Sequence, residues 1–420
     1  MESESFSTLR LLVILMNPCL PANTGGKIDP WTRAKAMKKA GCKLFLVTWE
    51  PHGTLAAETR AELELVFDEI RVYSTGSDLM GLLKRIRNLP MSPHISSRYL
   101  LISDQTELEH DVRSFGADAI WLDSLYGSGL AINLSRNLSL PLFYRSHNIE
   151  HLYMRSQADQ ARSLRNRIAW RLATFRLSKV EHAVQNYASH VFEISRTDME
   201  YWRGEGIKQH SWLPTFLDPS EYDRAREAQR SSEFDFGFVG NLSSPNNQRS
   251  IEWFLDRVWP IVHRSHPKAT VMIAGMKPSS FLSEKIQKAG AQLFPDPSSA
   301  PDAWARAHTF FNPITTGSGI NVKTVEMLMF DAPLVSTSVG VRGLPVDVAA
   351  EFHLADDAEM FAAKMIEARY GSEAKTDTRL RARGRFDVRE IEKLVAMIRS
   401  FLVRPAADGF ESDGPISPGL

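Results

Sequence analysis

The sequence predicts an α/β protein with two doubly wound parallel-sheet domains that face each other across a cleft. Short apolar runs alternate with helix-length amphipathic segments along most of the 420 residues, which is typical of strand–helix–strand units. The chain is also too long for one core, because a domain usually holds roughly 100–200 residues. Two Rossmann-like domains therefore fit both the length and the pattern.

Each half of the chain has its own series of elements. In the N-terminal half, strands are predicted at 9–16, 43–49, 117–122, 141–146 and 190–195, with helices between them. One of these helices is predicted to begin at Pro30 and to end before Gly41. In the second half, strands are predicted at 235–239, 270–274, 308–312, 332–337 and 351–355, and helices at 247–264, 279–289, 299–307 and 321–330.

The pattern breaks at 212–219, where two prolines and a charged stretch separate the two series. We therefore predict domains at 1–215 and 216–385. The segment 386–403 contains an amphipathic helix near 388–402, which could pack on either domain. The tail at 404–420 is rich in Pro, Gly, Ser and Asp without apolar periodicity, so we predict that it is disordered.

Composition excludes several classes of protein. The formal net charge is +0 and hydrophobic residues make up 43%, which argues against a nucleic-acid partner and against overall disorder. Cys19 and Cys42 are the two cysteines, too few for a disulfide framework or a thiolate zinc site. The apolar run at 9–16 is too short to cross a bilayer and has an acidic flank, unlike a signal peptide. A cytoplasmic location fits best.

The most informative motif is a glycine loop at 317–326 between an apolar run and a predicted helix. Gly317, Ser318, Gly319 and Ile320 would present backbone N–H groups and the positive end of the helix dipole, a cradle suited to phosphate. Lys323 and Glu326 lie three residues apart and so share one helix face. The alternative is a tight turn beside a surface ion pair.

Two weaker motifs also follow predicted strands, where ligands bind in doubly wound sheets. Gly240, Asn241 and Asn246 belong to a polar loop after the first strand of the second half; the alternative is an ordinary capped turn. Gly25 and Gly26 follow the first strand of the chain and allow backbone to approach a ligand closely.

The segment His147-Asn148-Ile149-Glu150-His151 has the H-x-x-E-H spacing of one class of zinc peptidase. It directly follows a predicted strand, however, so His147 is expected in a loop that faces the cleft and not one turn inside a helix. We favour His147 as a hydrogen-bond donor to a reacting sugar. No two aspartates lie two positions apart, so the D-x-D metal motif of many sugar-nucleotide enzymes is missing, and no metal is predicted.

A predicted helix at 160–186 combines an apolar stripe with many basic residues. The stripe consists of Leu164, Ile168, Leu172 and Phe175, and the basic residues are Arg162, Arg165, Arg167, Arg171, Arg176 and Lys179. Such a face could contact anionic lipid. The alternative is a solvated helix that packs its stripe on the N-terminal domain.

These motifs resemble the family-4 (group 1) glycosyltransferases of the GT-B fold, especially members that act in bacterial surface-polysaccharide synthesis. The donor-side likeness lies in 240–260, 271–275 and 317–344, and the acceptor-side likeness in Gly25, Gly26 and 147–150. The resemblance implies retaining transfer of a sugar from a nucleotide-diphosphate sugar to an acceptor hydroxyl, with no further cofactor. Together with the basic helix, it points to a glycan or lipid-linked glycan as acceptor, and the basic helix itself to peripheral contact with the inner membrane face.

The resemblance also assigns roles to individual residues. Lys323 and the loop amides would bind the diphosphate, Glu326 the ribose hydroxyls, and Asn148 and Glu150 would lie on the acceptor side. His147 and Glu326 are the candidate catalytic residues. Ser318 stands where the family has the first glutamate of its E-x7-E motif, and Asn241 and Asn246 stand where a common arginine and lysine occur. Alternatives are a nucleotide-sugar epimerase of the same fold and a non-catalytic sugar-nucleotide-binding protein.

Overall fold

A computed structural model describes residues 8–22, 25–75, 98, 100, 102–159, 163–229, 232–317, 319–371 and 378–403. Ser318, Arg162 and the predicted tail at 404–420 lie outside the described residues. Two parallel sheets dominate the structure, as the sequence predicts. Within the described ranges, no helix is long and apolar enough to cross a bilayer.

The first sheet has seven parallel strands in the order β3-β2-β1-β4-β5-β6-β7. They are β1 (Arg10–Leu15), β2 (Lys43–Glu50), β3 (Glu69–Ser74), β4 (Ala119–Asp123), β5 (Leu142–Ser146), β6 (His190–Glu193) and β7 (His210–Trp212). The helices of this half are α1 (Gly25–Lys39), α2 (Ala57–Glu64), α3 (Ile102–Phe115), α4 (Ser128–Leu138), α5 (Glu150–Asp159), α6 (Leu164–Ala173), α7 (Leu177–Tyr187) and α8 (Arg196–Gly204). Helices cover both faces of the sheet, so β1 is apolar without alternation and almost fully buried.

The second sheet has six strands in the order β10-β9-β8-β11-β12-β13. They are β8 (Phe234–Asn241), β9 (Val271–Met276), β10 (Gln292–Pro295), β11 (Ala307–Asn312), β12 (Leu334–Ser336) and β13 (His353–Leu354). The helices are α9 (Ser220–Gln229), α10 (Pro245–Trp253), α11 (Trp259–Ser265), α12 (Ser280–Lys288), α13 (Ala300–Ala305), α14 (Val322–Leu328), α15 (Val346–Ala349), α16 (Ala358–Tyr370), α17 (Thr378–Gly384) and α18 (Ile391–Val403). In both sheets, the order reverses beside the first strand, which opens a crevice at the carboxyl ends.

The last helix returns to the first domain. Ile391, Leu394, Val395 and Ile398 of α18 are buried in the same apolar cluster as β1 and β2. The chain thus crosses between the domains twice, and the two crossings pair where the Leu217 amide donates to the Phe386 carbonyl at 2.8 Å. The two segments that connect the domains therefore run next to each other.

Several predicted boundaries are wrong for local reasons. The predicted helix at 160–186 is two helices, because Arg176 adopts a left-handed conformation with φ 59° between α6 and α7. The predicted helix at 247–264 contains a π-helical turn at Phe254–Val258, just before Pro260, which lacks the N–H that a regular helix needs. Helix α1 begins at Gly25, five residues before the predicted start at Pro30.

Candidate active site

A cleft of about 730 Å³ lies between the carboxyl ends of the two sheets. Both domains line it, and most of the residues that the sequence singles out meet there. These are Gly25, Gly26, His147, Asn148, Glu150, Gly240, Asn241, Asn246, Gly317, Ile320, Lys323 and Glu326. Gly319 is not among these lining residues; it faces the loop at His147.

On the second domain's wall, Lys323 is the central cation. Its Nζ donates to Asn247 Oδ1 at 2.5 Å and lies 5.0 Å from the centroid of the Phe238 ring. A Cβ on Gly240 would lie 2.9 Å from the Phe238 ring and 3.4 Å from Lys323 Cε, so a glycine leaves room for both side chains. Burial lowers the pKa of Lys323 to about 7, although Glu326 partly opposes this shift.

Glu326 lies deeper on the same wall. Trp304 Nε1 donates to its Oε2 at 3.5 Å, and burial raises the pKa of this carboxyl to about 7. Helix α14 has only seven residues, so its dipole is small and the Lys323 side chain is the main positive charge. The wall thus offers one cation and one carboxyl from successive turns of one short helix.

The two asparagines of the β8–α10 loop are engaged locally. Asn241 Oδ1 accepts from the backbone and side chain of Ser243, at 2.9 and 2.7 Å. Asn246 Oδ1 accepts from Arg249 at 2.6 Å. The carboxamide oxygens therefore shape this loop, and a ligand would meet their remaining N–H groups. The third asparagine, Asn247, fixes Lys323, a role that the sequence analysis missed.

On the first domain's wall, His147 lies in the loop between β5 and α5. Its Nε2 is 2.6 Å from Asp123 Oδ1, at the carboxyl end of β4. Burial alone would raise the pKa of Asp123, but Arg33 and His147 outweigh it and hold that pKa well below its ordinary value. Because an ionised carboxylate only accepts hydrogen bonds, His147 Nε2 carries the proton, and Nδ1 is the other nitrogen available to a ligand.

Asp123 belongs to a buried charge network that the sequence analysis did not find. Arg33 donates to both Asp123 and Asp29, the latter at 2.6 Å, and Arg145 reaches Asp29 at 3.3 Å. All four side chains are almost fully buried. The signal was present in the sequence, because Asp123 and Arg145 are charged residues inside otherwise apolar strands. Such residues need buried partners.

His147 and His151 do not share a site. His151 Nδ1 is 2.6 Å from Glu181 Oε2, whereas His147 contacts Asp123. The described residues contain no group of three or more His, Cys, Asp or Glu side chains that could hold a metal. The zinc-peptidase hypothesis is therefore not supported.

Glu150 begins α5 at the cleft, where burial raises the pKa of its carboxyl to about 7 and nearby Glu181 adds to the shift.

Glycines bring the two walls into direct contact. Gly319 has φ +65°, and a Cβ there would lie 2.6 Å from both Asn148 Oδ1 and the His147 carbonyl oxygen. A Cβ on Gly25 would lie 2.9 Å from Val322 Cγ2. Both positions join a predicted donor-side residue to a predicted acceptor-side residue. The segments at 25 and at 147 of the first domain therefore pack against the glycine loop of the second domain.

Ser124 is a further cleft residue that the sequence analysis missed. It has φ 98° and ψ 159°, a region that is essentially limited to glycine and costs about 1–3 kcal/mol for other residues. Its buried Oγ has no hydrogen-bond partner among the described residues, and it lines the cleft beside Asp123. A strained serine with an unpaired hydroxyl is typical of a position kept for a ligand.

We expect Ser124→Gly to raise the free energy of unfolding by about 1 kcal/mol, because glycine adopts this conformation without strain. The affinity of the cleft for its ligand should decrease at the same time, since the Ser124 hydroxyl is lost. Urea unfolding and ligand titration of the same variant check this pair of effects. Ser139→Gly is the control, because Ser139 also has positive φ, 53°, but terminates α4 outside the cleft. A loss of binding in the control as well would contradict the assignment.

The second domain of the chain matches a known protein family. Residues 233–369 match the family model described as Glycosyl transferases group 1. The resemblance predicted from the donor-side motifs is thereby confirmed. The matched segment contains β8 to α16, including the glycine loop, Lys323 and Glu326.

Solved structures with the same fold cover both domains of the chain. The crystal structure of HepE from Anabaena in complex with UDP-glucose is 14% identical with a TM-score of 0.61, over 94% of this chain and 100% of that chain. Sucrose-phosphate synthase from Thermosynechococcus elongatus is 13% identical with a TM-score of 0.63, over 94% of this chain and 99% of that chain. The fold is GT-B, as predicted. These identities are too low to transfer a substrate.

A sequence relative adds a genetic setting. It is an uncharacterized 44.6 kDa protein in the cps region of Klebsiella pneumoniae, 23% identical over 378 residues, which are 85% of this chain and 90% of that protein. The similarity thus extends over both domains of the GT-B fold.

Proposed function

We propose that this protein is a retaining, metal-independent glycosyltransferase that moves a sugar from a nucleotide-diphosphate sugar to an acceptor hydroxyl. One observation carries the proposal: two pairs of polar side chains lie on opposite walls of one cleft. Lys323 and Glu326 are on one wall, and His147 with Asp123 is on the other. The HepE structures hold UDP and UDP-glucose, so uridine nucleotides are the donors that we test first. Retention of anomeric configuration is carried over from the resembled family.

The donor wall has the chemistry that such a reaction needs. As the anomeric C–O bond loosens, negative charge grows on the leaving diphosphate. Lys323 and the backbone N–H groups of Gly317 and Gly319 would stabilise this charge more strongly in the transition state than in the ground state. Glu326 would accept hydrogen bonds from the ribose hydroxyls. One lysine with fixed amides takes the place of a divalent cation in this account.

The acceptor wall is assigned to the other half of the cleft. Gly25 and Gly26 give a close backbone approach, and Asn148 and Glu150 offer polar groups. Glu150 Oε2 has no hydrogen-bond partner among the described residues, which supports a role in binding an acceptor hydroxyl. His147 Nδ1 would accept from a sugar hydroxyl in the neutral ring, so the predicted donor role requires the imidazolium form.

We further propose a role in bacterial polysaccharide or glycolipid biosynthesis at the cytoplasmic side of the membrane, and the position of the relative in a cps region supports the polysaccharide part. The direct test follows UDP release and the product by NMR, with UDP-sugars, polyprenyl-diphosphate-linked sugars and EDTA present. The proposal expects acceptor-dependent UDP release and a product that keeps the donor's anomeric configuration. An inverted product, or a requirement for metal, would overturn the corresponding part.

An epimerase is the second candidate, because a putative UDP-N-acetylglucosamine 2-epimerase from Listeria monocytogenes has a similar structure. That protein is 9% identical with a TM-score of 0.56, over 96% of this chain and 99% of that chain. An epimerase would convert the donor into a second UDP-sugar with no acceptor present. A non-catalytic binding protein would bind UDP-sugar and leave it unchanged.

The pKa values of the donor wall predict proton uptake on UDP binding. Lys323 has a pKa of about 7 in the free protein, so it is mostly neutral above that pH. A bound diphosphate favours the ammonium form and raises this pKa, so affinity should fall by up to about tenfold per pH unit above 7. Calorimetry near pH 8 in two buffers of different ionisation enthalpy measures the uptake.

Two variants separate the contributions of Lys323 and Glu326. Glu326→Gln should still take up a proton, whereas Lys323→Met should not. Below pH 7, Glu326 contributes the opposite proton exchange. Its carboxyl is then largely protonated in the free protein, and the ribose hydroxyls favour the ionised form, so UDP binding releases a proton. Equal heats in both buffers for the wild-type protein near pH 8 would contradict the assignment of Lys323 to the diphosphate.

A further inference from the structure

Helix α6 presents large apolar side chains to solvent. Leu164 is 71% exposed, Ile168 51%, Leu172 60% and Phe175, in the turn that follows the helix, 53%. Leu164, Ile168 and Leu172 are four residues apart and so form one stripe along the helix. Trp170, on another side of α6, packs against the core of the first domain. The alternative, in which the stripe packs on that domain, is therefore wrong, and within the described part of the chain the apolar surface of the stripe is largely uncovered.

Arginines flank this stripe. On a helical projection, Arg167 and Arg171 lie along one edge of the stripe and Arg165 lies along the other. Arg176 lies over the Phe175 ring, 5.4 Å from its centroid. Asp159 is the nearest acidic group that contacts the patch, 3.4 Å from Arg171, and both side chains are more than half exposed. The patch thus combines apolar side chains with a net positive charge.

The patch is connected to the acceptor wall of the cleft. Helix α5 begins at Glu150, and Glu150 and Tyr153 line the cleft. Helix α5 packs directly against α6. An object bound at the exposed face of α6 would therefore contact the helix next to the one that lines the acceptor side of the cleft.

We propose that Leu164, Ile168, Leu172 and Phe175, with their flanking arginines, dock this protein on the surface of an anionic phospholipid bilayer. The inference deepens the proposed function, on which it rests for the nature of the acceptor: a lipid-linked glycan held in that bilayer. The apolar side chains enter the boundary between headgroups and acyl chains, and the arginines bind lipid phosphates. Charge complementarity favours this occupant over a second, equally basic copy of the same patch.

The test is cosedimentation of the full chain with vesicles of phosphatidylcholine, with or without about one third phosphatidylglycerol. The wild-type protein should bind the anionic vesicles and lose binding in high salt. Ile168→Ser/Leu172→Ser and Arg165→Glu/Arg171→Glu should each weaken binding by about tenfold or more. Phe281→Ser and Lys288→Glu are matched controls on α12, where both side chains are exposed, and they should bind like wild type.

Several outcomes would overturn the inference. If the stripe variants bound anionic vesicles as well as the wild-type protein does, the stripe would have no role in docking. If the wild-type protein bound neutral and anionic vesicles equally, the arginines would have no role. A dimer that dissolves in the stripe variants, without vesicle binding, would identify a second copy of the chain as the occupant. UDP affinity distinguishes failure of this inference from failure of the proposed function, because the stripe variants should retain it in solution.

Discussion

Replacing Lys323 with methionine should weaken UDP binding by about 1.5–3 kcal/mol, which is roughly tenfold to more than a hundredfold in Kd. Lys323 is the cation at the centre of the donor wall, and its ammonium would make a charge-assisted contact with the diphosphate. The fold should tolerate the change, because methionine fills a similar volume beside Phe238 and removes a charge whose burial is unfavourable. Titration calorimetry with UDP in EDTA measures the effect.

Lys27→Met is the matched control for this experiment. Lys27 also lines the cleft, but on the first domain, where its Nζ donates to the Leu20 carbonyl at 3.1 Å. The control should change UDP affinity little, since the account places the acceptor on that wall. If Lys27→Met lost UDP binding and Lys323→Met kept it, the two walls would have been assigned the wrong way round.

The second large effect concerns stability. Arg33→Met should lower the free energy of unfolding by about 3–5 kcal/mol, because it removes the guanidinium that donates to both buried carboxylates, Asp29 and Asp123. Burial would raise the pKa of Asp29, and it is Arg145 and Arg33 that keep that pKa below its ordinary value. The difference in free energy of unfolding between wild type and Arg33→Met should therefore become smaller at lower pH, where these carboxyls can be protonated. Urea unfolding across a range of pH checks both statements.

Lys35→Met provides the comparison on the same helix. Lys35 and Glu221 are 3.8 Å apart, with 44% and 59% of their side chains exposed, and such surface pairs contribute about 0–1 kcal/mol. A loss for Arg33→Met no larger than that for Lys35→Met would show that the buried network does not depend on Arg33. His147 should also be held less firmly in Arg33→Met, because Asp123 then keeps Trp121 and His147 as hydrogen-bond partners but loses a charged one.

The fold follows from features that a single sequence displays. Uninterrupted apolar strands such as 10–15 need helices on both faces, and this requirement predicts parallel sheets. The strands that the sequence analysis did not predict are β3, β7 and β10, and all three are edge strands. Their residues are mixed in polarity; in Gln292–Pro295, for example, the two ends are exposed. Local pattern cannot separate such strands from loops, because pairing with a neighbour defines them.

The site was predictable where function leaves a local pattern. Glycines followed by Lys323 and Glu326 on one helix face are visible in the sequence, and so is His147 after a strand. The Asp29–Arg33–Asp123–Arg145 network is different, because its members come from three separate segments and only the sheet order brings them together. The exposed stripe on α6 illustrates the same limit: its periodicity was visible, but only the tertiary structure shows which face is covered.

A crystal structure of the protein with UDP and EDTA would locate the nucleotide relative to the two walls. We expect a diphosphate oxygen within about 3.2 Å of Lys323 Nζ and the ribose hydroxyls at hydrogen-bond distance from Glu326, with no metal between the phosphates and the protein. The sugar side of the diphosphate should point toward His147. UDP bound on the wall formed by Gly25, Asn148 and Glu150, or bridged to the protein only through a metal ion, would contradict this expectation.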